Sequence, residues 1–383
     1  MDKKKNISKK ILILGASEVQ LSIILHAKEL GHTILIADYD PHAIGFQFAD
    51  IKFNISTNDI LELIDVAKKH DIDGVLTTSD YPVRSVAAIC KELHLTGLSV
   101  ESSILCTNKY LLRKHLKKNN FKVPRYSIID SENALNNIDF FPCIIKPIDS
   151  SGSRGVQKVF DKTELQFAYE LALNYSKSGN IIVEEFIDGK EYSIESLTQK
   201  NQTTIVAITE KTVIGDKDRF FVEDRHIIPA NIDQDVFNAV CITVQNVLSS
   251  INLDNSSTHT ELKINDKGIY IIEIGARLGG DYITSDLVPL STGVNMLDNT
   301  IRLALNEKIN TQHTITKFAG IQFLNSSNYK HIEQYLRKNN ASIIRKEIKT
   351  YKDSPLRNSF DRLGYFIAQS NSRDELINIL NCK

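Results

Sequence analysis

Residues 259–281 read HTELKINDKGIYIIEIGARLGGD. Turn-forming residues at 266–268 separate two apolar runs, so this stretch predicts a β-hairpin. Glu261 and Glu273 lie on opposite sides of the turn, and a hairpin would bring both carboxylates to one side of neighbouring strands. Glu273 also interrupts an apolar run, where a charge without a function is unfavourable. Because Mg²⁺ binds carboxylates together with phosphate oxygens and water, the pair predicts a magnesium site, with a solvated hairpin as the alternative.

Residues 143–156 form a second informative stretch, CIIKPIDSSGSRGV. A short apolar strand that ends near Lys146 leads into a run of small residues. The backbone N–H groups of Ser151, Gly152 and Ser153 can converge on phosphate oxygens, because glycine permits left-handed φ angles and hydroxyls add donors. A Walker sequence is absent, since no Gly-Lys-Ser/Thr follows. The loop predicts a phosphate site with Lys146 beside it, although an ordinary surface turn also fits these residues.

Length and composition set the broad class. With 383 residues the chain is long enough for two or three domains. The hydrophobic share of 42% is ordinary for a globular protein, and no apolar run approaches the roughly 18 residues of a membrane helix. Lysine and arginine number 46 against 47 acidic residues, so neither nucleic acid nor a membrane is an expected partner. The five cysteines are scattered without a Cys-x-x-Cys pair, which fits a reducing cytoplasm.

The N-terminal region alternates strands and helices. Residues 11–14 and 33–37 predict strands on either side of a helix that ends near Leu30, which makes a βαβ unit. The turn at 15–20 keeps only the first glycine of a dinucleotide fingerprint, so NAD binding is not favoured. Further helices and a buried strand follow. The first hundred residues therefore predict one open parallel sheet.

The pattern changes after Thr107. A charged helix is predicted over 109–119, and a hairpin-rich lobe follows that contains a helix over 164–176 and a strand over 181–187. More strands and a closing helix come near the C-terminus. We expect three regions: 1–104, then 105–308 with a lid at about 121–187, and finally 309–383.

Several polar residues stand in a recognisable order: Lys109, Lys146, the small-residue loop, Glu184, Glu185, Phe186, Ile187, Glu191, Glu261 and the run 273–277. In order and spacing they resemble the ATP-grasp superfamily. The resemblance implies an α/β fold class with an N-terminal parallel α/β (pre-ATP-grasp) domain, an ATP-grasp fold with a lid subdomain, and a C-terminal α+β subdomain. Residues 259–261 and 273–281 are similar to those of the L-amino acid ligases, which are carboxylate–amine ligases of dipeptide biosynthesis.

The resemblance also implies a nucleotide site. ATP with Mg²⁺ is the implied cofactor, with Mn²⁺ as an alternative metal held by Glu261 and Glu273. Lys109 and Lys146 would contact the phosphates, and the loop of Ser151, Gly152 and Ser153 would close over them. Glu191 would bind the ribose hydroxyls. The strand that hydrogen-bonds adenine through its backbone would comprise Glu184, Glu185, Phe186 and Ile187.

Arg277 is the implied catalytic residue, and it would also bind substrate. It would face the transferred phosphoryl group and the acyl phosphate, because a fixed guanidinium stabilises developing oxyanion charge. His259 and Gly280 would border the amino-acid pocket. Arg225 and His226 are further substrate-binding candidates, on a mobile loop expected around 215–224.

Two positions depart from the superfamily pattern. Gly275 stands two residues after Glu273, where many members have an asparagine, so this position supplies no third metal ligand. Arg154 lies in the phosphate loop, which has few glycines. There it either restricts closure of the loop or reaches a phosphate itself.

These expectations describe an ADP-forming enzyme. A substrate carboxylate would attack the γ-phosphate of ATP, and an amine would then displace phosphate from the acyl phosphate. The partners would be ATP and small-molecule carboxylate and amine substrates, and a homodimer is one option for the assembly. Two other functions stay open: an ATP-grasp ligase or carboxylase acting on a non-amino-acid carboxylate in nucleotide or cofactor biosynthesis, and a nucleotide-binding protein without turnover.

Overall fold

The computed structural model describes residues 8–215, 219–339 and 342–383. Its N-terminal part contains a four-stranded parallel sheet in the order β3-β2-β1-β4. The side chains of residues 11–14 are fully buried because packed layers cover both faces of the sheet, which explains the continuous apolar run. The predicted open parallel sheet is confirmed. The strands are β1 (Lys10–Leu14), β2 (Thr33–Asp38), β3 (Ile51–Asn54) and β4 (Gly74–Leu76).

Five helices accompany this sheet: α1 (Leu21–Glu29), α2 (Ile60–His70), α3 (Val83–Leu93), α4 (Val100–Cys106) and α5 (Lys109–Lys118). The start of α5 is fixed by Asn108, whose side chain accepts a hydrogen bond from the amide of Leu111. Lys109 is therefore the first helical residue, and its amide donates to the carbonyl of Ile148 at 2.9 Å. This contact places the lysine beside the phosphate loop.

A second, antiparallel sheet has the strand order β5-β8-β6-β7. One face packs on α6 through buried residues that include Ile145, Val183 and Ala168. Since side chains alternate along a strand, the other face carries Lys146 and Glu184. The elements are β5 (Tyr126–Ile129), β6 (Cys143–Pro147), β7 (Gln157–Val159), α6 (Leu165–Leu173) and β8 (Ile181–Glu185).

The largest sheet has eight strands in the order β13-β12-β9-β10-β11-β14-β16-β15, and neighbouring strands are antiparallel. The predicted hairpin is β12–β13, in which Glu261 pairs with Glu273 directly across the strands. Its strands are β9 (Lys190–Gln199), β10 (Gln202–Ile214), β11 (Val222–Ile228), β12 (Ser256–Asn265), β13 (Gly268–Gly275), β14 (Phe318–Leu324), β15 (Ile343–Ile348) and β16 (Gly364–Ser370). The remaining helices are α7 (Gln234–Ser250), α8 (Val288–Thr292), α9 (Met296–Ala304), α10 (Tyr329–Lys338) and α11 (Arg373–Leu380).

Some predicted boundaries differ from those observed. The helix expected over 164–176 is α6, whose shorter span follows a 3-10 turn at Lys162–Glu164. Arg225 and His226 lie within β11, because pairing with β10 and β14 holds that segment extended; residues 216–218 of the expected loop lie outside the described residues. The mixed α/β class is confirmed, while the three domain boundaries stay predictions. In the described part of the chain, no helix has the length and apolarity needed to cross a membrane.

Candidate functional site

Most of the predicted site residues surround two adjoining cavities. Cavity A lies between the small sheet and the hairpin β12–β13. Cavity B adjoins it and shares Ser151, Ser153, Glu261 and Glu273 with it. Cavity A is also lined by Lys109, Lys146, Glu184, Glu185, Ile187 and Glu191, and cavity B also by Gly152, His226, His259, Arg277 and Gly280.

Lys146 is held by a buried ion-pair network. Its ammonium lies 2.7 Å from Glu184, whose other carboxylate oxygen lies 2.8 Å from the guanidinium of Arg113. Burial alone would raise the pKa of Glu184, but the two cations outweigh it and lower that pKa to about 2. Burial, followed by the repulsion of Arg113 and Lys109, lowers the pKa of Lys146 even though Glu184 opposes this. The Glu184 side chain thus orients Lys146. Because the two cations share one carboxylate, the network has a positive charge left for a further anion.

Arg113 was not predicted from the sequence. It stands four residues after Lys109 on α5, so both side chains project from the same helical face toward the cavity. This spacing is the signal that could have identified it. Arg113 also donates to the carbonyl of Ile272 at 2.5 Å and so ties α5 to β13.

Each carboxylate of the hairpin pair contacts a lysine. Lys109 lies 2.9 Å from Glu273, and Lys211, which the sequence did not single out, lies 2.7 Å from Glu261. Lys211 is also 3.1 Å from Glu191, its partner across β9 and β10. Burial acts to lower the pKa of Lys211, but the surrounding carboxylates outweigh it and raise that pKa well above its ordinary value. Lys211 is therefore a third lysine at the phosphate side of the site.

The phosphate loop has the backbone that the sequence predicted. Gly152 and Ser153 have φ angles of +66° and +55°, in the left-handed region that glycine favours. Ser150 lines cavity A, and its buried hydroxyl has no hydrogen-bond partner among the described residues. A buried polar atom without a partner is unfavourable. An anion in cavity A would remove that penalty.

The predicted adenine-binding segment ends β8. Glu185 and Phe186 donate their amides to the carbonyls of Arg125 and Pro142, at 2.7 and 3.0 Å. Within the described ranges, the amide of Ile187 has no acceptor, although this residue is buried and lines cavity A. A planar heteroaromatic ring could accept from it. The Phe186 side chain instead stacks near Phe221, with a ring-centroid separation of 6.3 Å.

Arg277 lines cavity B and forms a two-pronged ion pair with Asp80. Both of its bonds to the carboxylate measure 2.9 Å. Burial would lower the pKa of Arg277, but the carboxylate outweighs it and the pKa is raised. Asp80 comes from the loop after β4, far from Arg277 in sequence, and sequence analysis did not find it.

His259 links two carboxylates. Its Nδ1 lies 2.6 Å from the fully buried Glu195 and its Nε2 lies 3.4 Å from Glu261. Burial acts to lower the pKa of His259, but Glu195 outweighs it and raises that pKa to about 9. His259 is therefore tied to the metal-ligand candidate Glu261. Glu195 is another residue that the sequence did not reveal.

The remaining substrate candidates separate into two groups. His226 is 1% exposed and lines cavity B, and neither ring nitrogen has a hydrogen-bond partner among the described residues. Its Nε2 lies 3.7 Å from the carboxylate of Asp281. Arg225 points elsewhere, because it donates to Gln322 at 2.6 Å and to Asn381 at 2.8 Å. The structure does not bring Arg225 to either cavity.

A wider cavity C opens beyond Gly280 and Asp281, between the N-terminal part and the C-terminal strands. Asp281 and Arg362 form its boundary with cavity B through two bonds of 2.7 and 2.9 Å. Aromatic side chains line much of it, and its charged residues are three acids and two bases: Glu18, Asp281, Glu347, Lys349 and Arg362. Because Asp281 and Arg362 neutralise each other, cavity C has an excess of one acidic side chain.

The hairpin carboxylates suit Mg²⁺. Among the described residues no group of three or more metal-ligating side chains occurs, and Glu261 and Glu273 face each other across the hairpin. Two carboxylates with phosphate oxygens and water are what Mg²⁺ prefers, since it retains several waters. Lys109 and Lys211 neutralise these carboxylates here, and either lysine could turn to a phosphate when the metal binds.

Comparisons with known proteins identify a matching family and a similar fold. Residues 139–286 match the family model of the ATP-grasp domain. A formate-dependent phosphoribosylglycinamide formyltransferase from Prochlorococcus marinus is 28% identical over 299 residues, which cover 76% of this chain and 72% of the relative. A D-alanine–D-alanine ligase from Flavobacterium johnsoniae is 28% identical over 220 residues, which cover 53% of this chain and 66% of the relative.

The fold is similar along nearly the whole chain to that of an L-amino acid ligase from Bacillus licheniformis. The TM-score is 0.79 at 21% identity, and the match covers 98% of this chain and 97% of that structure. The resemblance and the fold class inferred from the sequence are confirmed. ATP with Mg²⁺ is the cofactor of ATP-grasp enzymes, as the sequence predicted.

The Glu184 network leads to a stability prediction. Glu184→Gln leaves Arg113 and Lys146 buried without their counter-charge, which should destabilise the small sheet by about 3 kcal/mol at pH 7. Because the folded pKa of Glu184 is about 2 against an ordinary 4.5, its contribution is complete above pH 4.5 and lost as the pH falls towards 2. The difference between wild type and variant should shrink accordingly.

Hydrogen exchange of the β6 and β8 amides measures this effect. The exposed neighbour Glu185→Gln is the matched control, and its change should stay within about 0.5 kcal/mol. Equal protection in both variants at pH 7 would contradict a structural role for the network.

Proposed function

We propose, from the premise that this chain belongs to the ATP-grasp superfamily, that it is an ADP-forming carboxylate–amine ligase acting on amino acids. One observation carries the proposal. The phosphate-facing lysines, the Glu261–Glu273 pair and Arg277 converge on cavities A and B, and cavity C supplies an adjoining acidic space for an amine. We also propose the domain division 1–104, 105–308 and 309–383, with the lid at 121–187. The lid contains the four-stranded antiparallel sheet, whereas the eight-stranded sheet continues across the boundary at 308.

In this proposal cavity A binds the nucleotide. The amide of Ile187 donates a hydrogen bond to a ring nitrogen of adenine, and Glu191 accepts hydrogen bonds from the ribose hydroxyls. Lys109, Lys146 and the loop amides contact the phosphates. Glu261 and Glu273 would hold Mg²⁺, which when bound neutralises charge on the transferred phosphoryl group.

Catalysis in this proposal requires orientation and no enzyme nucleophile. One oxygen of the substrate carboxylate attacks the γ-phosphorus, and the bond from phosphorus to the ADP oxygen breaks. The resulting acyl phosphate lies beside Arg277, whose guanidinium stabilises charge on the departing phosphate. The amine then attacks the carbonyl carbon, loses a proton, and expels phosphate to leave an amide. His226, with its ring nitrogens unpartnered, faces the space that the amine would enter.

The charges of cavity C support amino acids over phosphorylated substrates. Because Arg362 and Asp281 neutralise each other, the remaining charged side chains are Glu18, Glu347 and Lys349, an excess of one acid that can attract an ammonium group. The similarity to a phosphoribosylglycinamide formyltransferase keeps a ligase for a non-amino-acid carboxylate as the second candidate. A nucleotide-binding protein without turnover is the third.

A screen of amino-acid pairs distinguishes these three functions. We expect ADP and phosphate to be released only when a particular carboxylate and amine are both present, with the amide detected by mass spectrometry. Turnover only with phosphorylated substrates or bicarbonate would favour the second function. Tight MgATP binding without turnover under any condition would favour the third.

The acyl-phosphate route makes an isotopic prediction. A carboxylate substrate labelled with ¹⁸O should deliver one labelled oxygen to inorganic phosphate, because that oxygen bridges carbon and phosphorus in the intermediate. Mass spectrometry of the released phosphate measures the transfer. Label recovered in AMP would mean adenylation, and would contradict the proposed role of Arg277 at the γ-phosphate.

The hairpin pair makes a mutational prediction. Glu273→Gln should lower Mg²⁺-dependent turnover about 100-fold or more, and Glu261→Gln should impair it strongly, because each removes a charged metal ligand. Asp266→Asn, an exposed change in the turn of the same hairpin, is the control and should leave turnover unchanged. A titration with Mg²⁺ provides the measurement. Wild-type dependence on Mg²⁺ in both glutamate variants would rule out this metal assignment.

A further inference from the structure

We propose that Asp80 and Tyr81 are positioning residues: Asp80 orients Arg277 towards the reacting phosphoryl group, and Tyr81 holds the phosphate loop through Arg154. Asp80 and Tyr81 belong to the loop between β4 and α3. This loop lies at the carboxyl end of a parallel strand, where ligands of α/β sheets commonly bind. Arg277 follows β13, and Arg154 lies in the phosphate loop. The inference rests on the proposed ligase function and adds to it residues of the N-terminal sheet.

Asp80 fixes the orientation of Arg277. Two parallel bonds of 2.9 Å hold Nε and one terminal nitrogen, and the other terminal nitrogen donates to the carbonyl of Leu278 at 2.8 Å. Three of the five N–H groups of a guanidinium are thus used, which leaves two for a ligand. Both side chains are largely buried, at 17% and 20% exposure, so solvent screens the pair only weakly. The guanidinium plane therefore cannot turn freely.

Gly275 provides independent support. A Cβ atom at this position would lie 3.2 Å from the Arg277 guanidinium carbon and 3.2 Å from a carboxylate oxygen of Asp80. Those separations are too short for an undisturbed pair. A side chain at this position would have to displace the Arg277–Asp80 pair by a few tenths of an ångström, whereas glycine leaves the pair undisturbed.

Tyr81 performs the same task for the phosphate loop. Its hydroxyl accepts a hydrogen bond from Arg154 at 2.6 Å, and the ammonium of Lys177 lies 3.8 Å from its ring centroid. Arg154 also donates to the carbonyl of Ser151 at 3.0 Å within the loop. The loop is thereby fastened to the N-terminal part of the chain.

The two contacts have different kinetic consequences. Arg277 serves the charge that develops during transfer, so loosening it should lower kcat more than it raises KM for ATP. The phosphate loop contacts the bound nucleotide before transfer, so loosening it should weaken nucleotide binding. A fall in kcat would therefore report on Asp80, and weaker nucleotide binding would report on Tyr81.

For Asp80 the experiment compares Asp80→Asn with Asp65→Asn, an exposed aspartate on α2 of the same region. Asp80→Asn should lower kcat about 10-fold to 100-fold with KM for ATP within about twofold, and Asp80→Glu should recover part of the loss. If the wild type turns over and Asp80→Asn has the same kcat, this positioning role is overturned. If the wild type shows no ligase turnover, its basal ATP hydrolysis is compared in the same variants, so failure of the ligase function is recognised separately.

For Tyr81 the experiment measures the binding of MgADP and requires no substrate. Tyr81→Phe keeps the ring and removes the hydroxyl, and it should weaken MgADP binding about threefold to tenfold by calorimetry. Tyr39→Phe, at a tyrosine that is 76% exposed in the same region, is the matched control. In the Arg154→Met background, Tyr81→Phe should weaken MgADP binding almost no further, because both substitutions remove the same Tyr81–Arg154 hydrogen bond.

Hydrogen exchange of residues 151–155 gives a second readout for Tyr81. Exchange should become faster in Tyr81→Phe and Arg154→Met alike, while the thermal midpoint of each variant stays near that of the wild type. Additive losses in MgADP binding, or unchanged exchange in the loop, would overturn the Tyr81–Arg154 contact as a positioning device.

Discussion

The site depends on the ion pairs that the buried carboxylate of Glu184 forms with two cations. Glu184 lies on β8, neutralises Lys146 on the neighbouring β6, and pairs with Arg113 on α5, which in turn reaches the carbonyl of Ile272 on β13. A carboxylate in a low-dielectric interior is stable only when cations pay its desolvation cost, so these elements cannot separate without exposing unpaired charge. The network therefore fixes the distance between the small sheet and the hairpin, and with it the width of cavity A.

The charges around cavity A are arranged for exchange. Lys109 contacts Glu273 and Lys211 contacts Glu261, so each carboxylate of the hairpin pair has a cationic partner. In the proposed function a nucleotide with its metal would bring the opposite pattern, because phosphates would attract the lysines and Mg²⁺ would attract the carboxylates. Each of the four side chains would then exchange one partner of opposite charge for another.

The sequence predicts local features well and distant pairings poorly. The hairpin that carries Glu261 and Glu273 follows from two apolar runs and a turn, and the left-handed φ angles of the phosphate loop follow from its small residues. Asp80 could not be predicted in the same way, because 197 residues separate it from Arg277 and no local pattern marks such a pair. Arg225 shows a second difference. The sequence placed Arg225 and His226 on one loop near the substrate, but both lie on β11, where alternation directs the two side chains to opposite faces.

Gly279, two residues after Arg277, has a packing explanation that a motif alone does not provide. A Cβ atom at Gly279 would lie 2.6 Å from Nδ1 of His259 and 2.8 Å from a carboxylate oxygen of Glu195, which is closer than atoms can approach. Gly279 is thus required because the chain passes directly over the buried His259–Glu195 pair, and flexibility need not be invoked. That passage leads to Asp281 at the boundary of cavities B and C, so the buried pair sets the position of the wall between them. The buried His259–Glu195 pair thereby shapes the space in which the two substrates would meet.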